Sequence, residues 1–191
     1  VQKGYRFSSQ SDTEVVLSAL IEWGGNAVSK FNGMFSFAFY DVVKSVLLLG
    51  RDRYGIKPLY YVKNDSKLIF ASEQKALNTC PEHEKKINEE AVLEYFAFQN
   101  IYTDGNFSKN VKTLMPGNIL HFNISSGSMK TERYWDFDFA EPTIYRSQQS
   151  LIEEFQHLFE RAISQQLTSD VEVGSYLSGG IDTGAIVTNA A

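Results

Sequence analysis

The chain has one cysteine, Cys80, so no internal disulfide framework can form, and that usage suits a reducing compartment. No apolar run reaches the roughly 18 residues of a membrane span, and Val1 to Gln10 lacks the apolar core of a secretory signal. A soluble, cytoplasmic protein with no membrane partner is therefore expected. Cationic residues are also few: 18 Lys and Arg stand against 23 Asp and Glu, giving a net charge of −5 with no basic stripe. That balance argues against nucleic acid as a partner. The Gly-Lys-Ser/Thr of a Walker loop is missing altogether. The three histidines are scattered, with His83 in a charged loop, His121 assigned to the polar side of a strand and His157 to the polar face of a helix. Such dispersal argues against a histidine zinc site, and Cys80, next to Pro81 with no base nearby in sequence, reads as a bystander thiol.

What is present is core material. Of 191 residues, 43% are apolar and 14% aromatic, enough for one packed domain and part of a second. The chain opens on Val1 rather than Met and stops soon after Thr183, so an excerpt of a longer protein is expected.

The most informative segment is S-Y-L-S-G-G-I-D-T-G, residues 175–184. It follows Val171, Val173, Tyr176 and Leu177, which read as a buried strand, and precedes Ala185, Ile186 and Val187, which open a helix. Strand, glycine turn and helix together form an anion-binding architecture. Gly179 and Gly180 permit positive φ and close backbone approach, Ser178 and Thr183 supply hydroxyls, and the helix start adds partial positive charge. Asp182 would repel a phosphate, which points to a bridging Mg²⁺ between its carboxylate and the phosphate oxygens. The segment resembles the S-G-G-x-D-S pyrophosphate loop of ATP pyrophosphatases, the PP-loop enzymes, with Thr183 in place of the final serine.

The rest of the chain divides in two. Ser11-Asp12-Thr13-Glu14 before Val15, Val16, Ala19, Leu20 and Trp23 is a capping-box signature for an amphipathic helix that Gly24-Gly25 ends. Met34–Tyr40, Val46–Arg51, Pro58–Val62 and Leu68–Ala71 read as a meander of antiparallel strands, with hairpin turns at Asp41–Lys44 and Asn64–Lys67. Phe35, Phe37 and Phe39 share one face of the first strand and Met34, Ala38 and Tyr40 the other, which predicts burial on both faces. Arg51-Asp52-Arg53 is read as tying down a tight turn rather than as a substrate clamp. A short helix after Ser72, a charged loop at Pro81–Lys86, a helix from Asn88 to about Gln99 and a strand at Ile119–Ile124 follow. Pro142 and its polar neighbours mark a linker, and Ser147 begins a helix with Leu151, Ile152, Phe155, Leu158, Phe159, Ala162 and Ile163 in one apolar stripe.

Seven segments, taken in order, resemble the glutamine-dependent asparagine synthetase family. They are S-D-T-E-V (11–15), N-G-M-F-S-F-A-F-Y-D (32–41), R-D-R-Y-G-I-K-P-L-Y-Y (51–61), F-A-S-E-Q-K-A-L (70–77), M-P-G-N (115–118), R-Y-W-D (133–136) and S-Y-L-S-G-G-I-D-T (175–183). The resemblance implies an α+β chain: part of an N-terminal-nucleophile αββα sandwich, then the first βα unit of an α/β PP-loop domain. Residues 1–137 would be the C-terminal part of a class II glutamine amidotransferase domain, 138–147 a linker and 148–191 the start of the synthetase domain.

By the same resemblance, Asp12 holds the α-amino group of glutamine, and a helix-capping role beside Ser11 is compatible with that. Leu177, Ser178, Gly179, Gly180, Asp182 and Thr183 bind ATP and its pyrophosphate, with Asp182 reaching Mg²⁺. The family nucleophile is an N-terminal cysteine whose amine serves as base. Val1 cannot do that chemistry, so no catalytic residue is assigned here and the chain alone is expected to be inactive. Glutamine, aspartate and ATP are the implied partners, and a homodimer is allowed. β-Lactam synthetases, lasso-peptide cyclases and polysaccharide-cluster amidotransferases share this layout and stand as alternatives, as does a non-catalytic binding module.

Overall fold

The computed structural model describes residues 4–65, 67–81, 85–140 and 146–191. They divide into two compact units, Val1–Asp138 and Phe139–Ala191.

In the first unit, helix α1 (Asp12–Trp23) and a 3-10 turn (Gly24–Lys30) precede strands β1 (Ser36–Asp41) and β2 (Val46–Arg51). Strands β3 (Tyr60–Lys63) and β4 (Leu68–Ala71), helices α2 (Gln74–Leu77) and α3 (Glu89–Phe98), and strands β5 (Lys112–Thr113), β6 (Asn118–Asn123) and β7 (Met129–Arg133) follow. The expected single meander is instead two antiparallel sheets, ordered β1-β2-β6-β7 and β4-β3-β5. The chain leaves the first sheet after Arg51 because the turn beginning at Asp52 sends it into the second.

Strand alternation builds the layers. Val46 and Leu48 on β2 and Ile119 on β6 face α1 and the 3-10 turn, packing with Ala19, Leu20, Ala27 and Val28. One residue on, Leu47, Leu49, Leu120 and Phe122 point to the opposite face and meet Leu59, Tyr61, Leu68 and Leu114 of the second sheet and its flanks. The outer face of that sheet, through Val62 and Ile69, covers Leu77 of α2 and Val111. Helix, sheet, sheet and helix thus stack in that order.

Two-sided burial belongs to β2 and β6. The edge strand β1 buries Phe37 and Phe39 only in part against the α1 layer and leaves Ala38 and Tyr40 exposed, because the second sheet covers the central strands. Gly50 of β2 lies opposite Phe37, whose ring is 2.4 Å from where a Cβ would sit, so a side chain there would displace the ring. Strands β5 and β7 were not expected. Met129–Arg133 is exposed along its whole length and offers no alternation to read. His121, expected on a polar face, shares the α-facing side of β6 and lies under Gly25.

The second unit contains α4 (Gln148–Gln166) and α5 (Ile181–Ala190). Ser147 caps α4, its Oγ accepting from Ser150 N at 3.2 Å. The apolar stripe of α4 is exposed, with Phe155 at 68% and Leu151 at 51%. The buried strand expected at Val171–Leu177 is not formed. These residues are irregular and exposed, Tyr176 fully so, since no strand among the described residues lies beside them to share backbone hydrogen bonds. No helix of the described residues is long and apolar enough to cross a membrane. The linker residues 141–145 and His83 lie outside the described residues.

Candidate functional site

Asp12 is the first residue of α1 and is exposed. Ser11, not Asp12, caps the helix: its Oγ accepts from Thr13 N at 3.2 Å. One Asp12 oxygen is 3.4 Å from the Thr13 hydroxyl. The capping box differs from the expected form, because Glu14 reaches past Ser11 to two earlier residues. It accepts from Ser8 N at 2.9 and 3.1 Å, Ser9 N at 2.8 Å, Ser8 Oγ at 3.1 Å and Ser9 Oγ at 2.6 Å. The Ser9 hydroxyl above all, then the Ser8 and Ser9 amides, pull the Glu14 pKa down from 4.5 to about 2.

At the other candidate site Gly179 takes φ +77°, the left-handed backbone that the turn needs, with open space around it. Gly180 does not share that conformation. It has φ −75° and is the N-cap of α5, which begins at Ile181 rather than Ala185. The early start puts Asp182 and Thr183 in the first helical turn, both beside the positive end of the backbone dipole. Ser178 Oγ and Thr183 Oγ1 are 2.9 Å apart, Thr183 Oγ1 donates to Gly180 O at 3.0 Å, and Gly180 N approaches Ser178 Oγ at 3.4 Å. Leu177, Ser178, Gly179, Gly180, Asp182 and Thr183 are thus gathered on one solvent-facing turn. Its donor set, two hydroxyls, turn amides and a helix N-terminus, suits phosphate oxygens, and the Asp182 carboxylate is a hard oxygen ligand suited to Mg²⁺.

Arg51-Asp52-Arg53 ties a turn, as expected. Asp52 is 1% exposed and accepts from the backbone N–H groups of Phe35, Tyr54, Ile56 and Lys57 at 3.0–3.3 Å. The Arg51 guanidinium donates to the carbonyls of Gly55, Lys57 and Leu114 and loses some basicity to burial. Arg53 donates to the carbonyls of Ser29 and Phe31. All three side chains are engaged with backbone, which leaves little for a ligand.

A cleft of about 460 Å³ that sequence reasoning missed lies in the first unit, lined by Arg53, Tyr61, Leu114, Arg133, Trp135 and Asp136 among others. Its advance signals were the M-P-G-N and R-Y-W-D runs, which supply Met115, Pro116, Asn118, Arg133, Trp135 and Asp136. None of the expected site residues lines it. Among the described residues, no group of three His, Cys, Asp or Glu side chains is placed to hold a metal.

The family described as "Glutamine amidotransferase domain" matches residues 1–135, and that described as "Asparagine synthase" matches residues 154–191. The chain belongs to the glutamine amidotransferase family. The continuation into an asparagine synthase match gives it the order of the glutamine-dependent asparagine synthetases, in agreement with its motifs. Asparagine synthetase [glutamine-hydrolyzing] 3 of Bacillus subtilis is 35% identical over 190 residues, covering 99% of this chain and 30% of the relative. Asparagine synthetase [glutamine-hydrolyzing] 2 of the same organism is 37% identical over 98% of this chain and 26% of its own length. Amidase chyE of Penicillium rubens is 29% identical over 95% and 27%. The chain spans about 30% of the length of the first of these relatives. A solved glutamine PRPP amidotransferase from B. subtilis aligns with a TM-score of 0.43 at 19% identity, over 99% of this chain and 39% of that one.

Proposed function

We propose that this chain is the junction of a glutamine-dependent asparagine synthetase, in which ammonia from glutamine is joined to the side-chain carboxylate of aspartate at the expense of ATP. Residues 1–137 are assigned to an amidotransferase domain of the N-terminal-nucleophile αββα type, 138–147 to a linker and 148–191 to the start of a PP-loop domain. The helix-sheet-sheet-helix stacking and the separation of units after Asp138 support that assignment.

The observation that carries the reading is the Ser178–Thr183 turn at the head of α5. The two hydroxyls are engaged with each other and with Gly180 O, and both turn to phosphate oxygens when ATP enters. The Gly179 and Gly180 amides and the α5 N-terminus stabilise the charge that develops on the departing pyrophosphate. Leu177 forms the approach to the loop. Asp182 holds Mg²⁺, which when bound neutralises pyrophosphate charge. The aspartate carboxylate attacks the α-phosphorus, the bond to the β-phosphate oxygen breaks, and ammonia then displaces AMP from the acyl carbon. Asp12 meets the α-ammonium group of glutamine in the first unit. A cytoplasmic setting follows from these substrates.

The test is made in the intact protein. Asp182→Ala is expected to lower aspartate-dependent pyrophosphate release at least about 10²-fold while glutamine hydrolysis changes by no more than a few-fold. Equal loss of both activities, or no aspartate-dependent release in the unsubstituted protein, would overturn the reading.

A further inference from the structure

Glu14 has no task in the scheme above, yet its bonds converge on the residues just before Asp12. The segment from Tyr5 to Ser11 runs back along α1 and is strapped to it by two carboxylates of that helix. Tyr5 Oη donates to Glu22 at 3.1 Å, and the amides and hydroxyls of Ser8 and Ser9 all donate to Glu14. The strap then passes its order onward. Ser11 N is 3.3 Å from Ser9 Oγ, and Ser11 Oγ caps α1 at Thr13 N. Asp12 itself is exposed, and its side chain has one long contact, to Thr13. Its direction is therefore set by the backbone at Ser11 and Asp12, the backbone that the strap fixes.

The two acids of the first turn are also set apart chemically. Glu14 is enclosed by four serine donors, while Asp12 keeps its lone pairs open to a cation. We propose that Glu14 is a positioning residue for the glutamine site: by clamping Ser8 and Ser9 it holds Asp12 where its carboxylate meets the substrate α-ammonium. The proposal rests on the role assigned to Asp12. A carboxylate whose loop must be ordered at each binding event loses part of its binding energy to that ordering, so the clamp acts through KM.

The experiment measures glutamine-dependent and ammonia-dependent synthesis in the intact protein for Asp12→Asn, Glu14→Ala, Ser9→Ala and the Asp12→Asn/Glu14→Ala pair. Glu14→Ala is expected to raise the glutamine KM about tenfold with little change in kcat, and Ser9→Ala to raise it by a smaller factor. In the Asp12→Asn background Glu14→Ala is expected to add nothing, since its effect passes through Asp12. Independent, additive effects mark a merely structural Glu14 and overturn the proposal. A raised KM in Asp12→Asn with no change in Glu14→Ala and Ser9→Ala overturns it too, leaving the Asp12 assignment in place. An unchanged KM in Asp12→Asn removes that assignment and the proposal together. Should Glu14→Ala fold poorly, Ser9→Ala carries the same test with the carboxylate intact.

Discussion

Between Gly4 and Asp138 a core has formed, with Leu49 and Leu120 at 0% exposure and Leu114 at 1%, although α3 keeps apolar side chains such as Phe96 in solvent. From Phe139 to Ala191 the apolar side chains are turned outward: Ile181 is 89% exposed, Phe155 68%, and no described residue of that part is buried. Both regions have well-formed secondary structure, so the difference is not one of local propensity. Helix α4 is specified by neighbours in sequence: the Ser147 cap and the i, i+4 pairs Gln149–Glu153 and Gln156–Glu160. A helix can be drawn by such local terms with its apolar face left open. Strands β2 and β6 have no such option, because each needs the other's backbone and a covering layer on both faces.

Two aspartates bring out the contrast, and the largest expected effect lies between them. Asp52 is buried and accepts from four backbone amides, whereas Asp182 is exposed on the first turn of α5. Asp52→Ala leaves those amides without an acceptor in a buried knot and is expected to cost at least about 3 kcal/mol, measured by urea unfolding of the chain. Asp182→Ala is expected to change stability by less than about 0.5 kcal/mol. A silent Asp52→Ala, or an equally costly Asp182→Ala, breaks the comparison.

The apolar residues give an effect of similar size. Leu120→Ala opens a cavity between the two sheets and is expected to cost about 2–5 kcal/mol. Phe155→Ala removes a ring that is 68% exposed, so little stability is at stake. Its signature is a fall in ANS fluorescence and in self-association, since the open stripe of α4 is the kind of surface that binds dye. Unchanged dye binding in Phe155→Ala together with a marked loss of stability would show that α4 is covered in solution.

The sequence made legible what neighbouring residues decide. Helices α1 and α4, the Asp41–Lys44 turn and the Gly179 turn follow from caps, periodicity and glycine, and the structural reading of Arg51-Asp52-Arg53 followed from its place before Gly55 and Pro58. Helix α3 starts after Asn88 as expected, but the Asn88 side chain makes no capping bond. What stayed hidden depended on distant partners. Nothing local says that β3 leaves the sheet of β2, that β7 exists without an apolar face, or that Val171–Leu177 finds no strand to pair with among the described residues. At the candidate sites the residue types were legible but their bonding was not. Glu14 matched a capping box, and only the course of the strap shows that it serves Ser8 and Ser9.

The smallest expected effect concerns acid, and it separates the ordered start of the first unit from the open second one. Glu14 has its pKa lowered from 4.5 to about 2 by the Ser9 hydroxyl and the Ser8 and Ser9 amides. A depressed carboxylate pKa means that the folded strap prefers the ionised acid. Its contribution is therefore complete above the ordinary value and is lost as pH falls from about 4.5 through about 2. The group lies at the surface, so the loss is local: the Ser8 and Ser9 amides should lose their hydrogen-bonded shifts in that window while the sheet amides of β2 and β6 hold theirs. A two-dimensional NMR titration from pH 5 to about pH 2 follows both sets at once. A Glu14 carboxyl midpoint near 4.5 would show that the strap is not closed in solution. In Glu14→Gln the acid-dependent step at Ser8 and Ser9 should vanish, and if it persists, some other group is holding the strap.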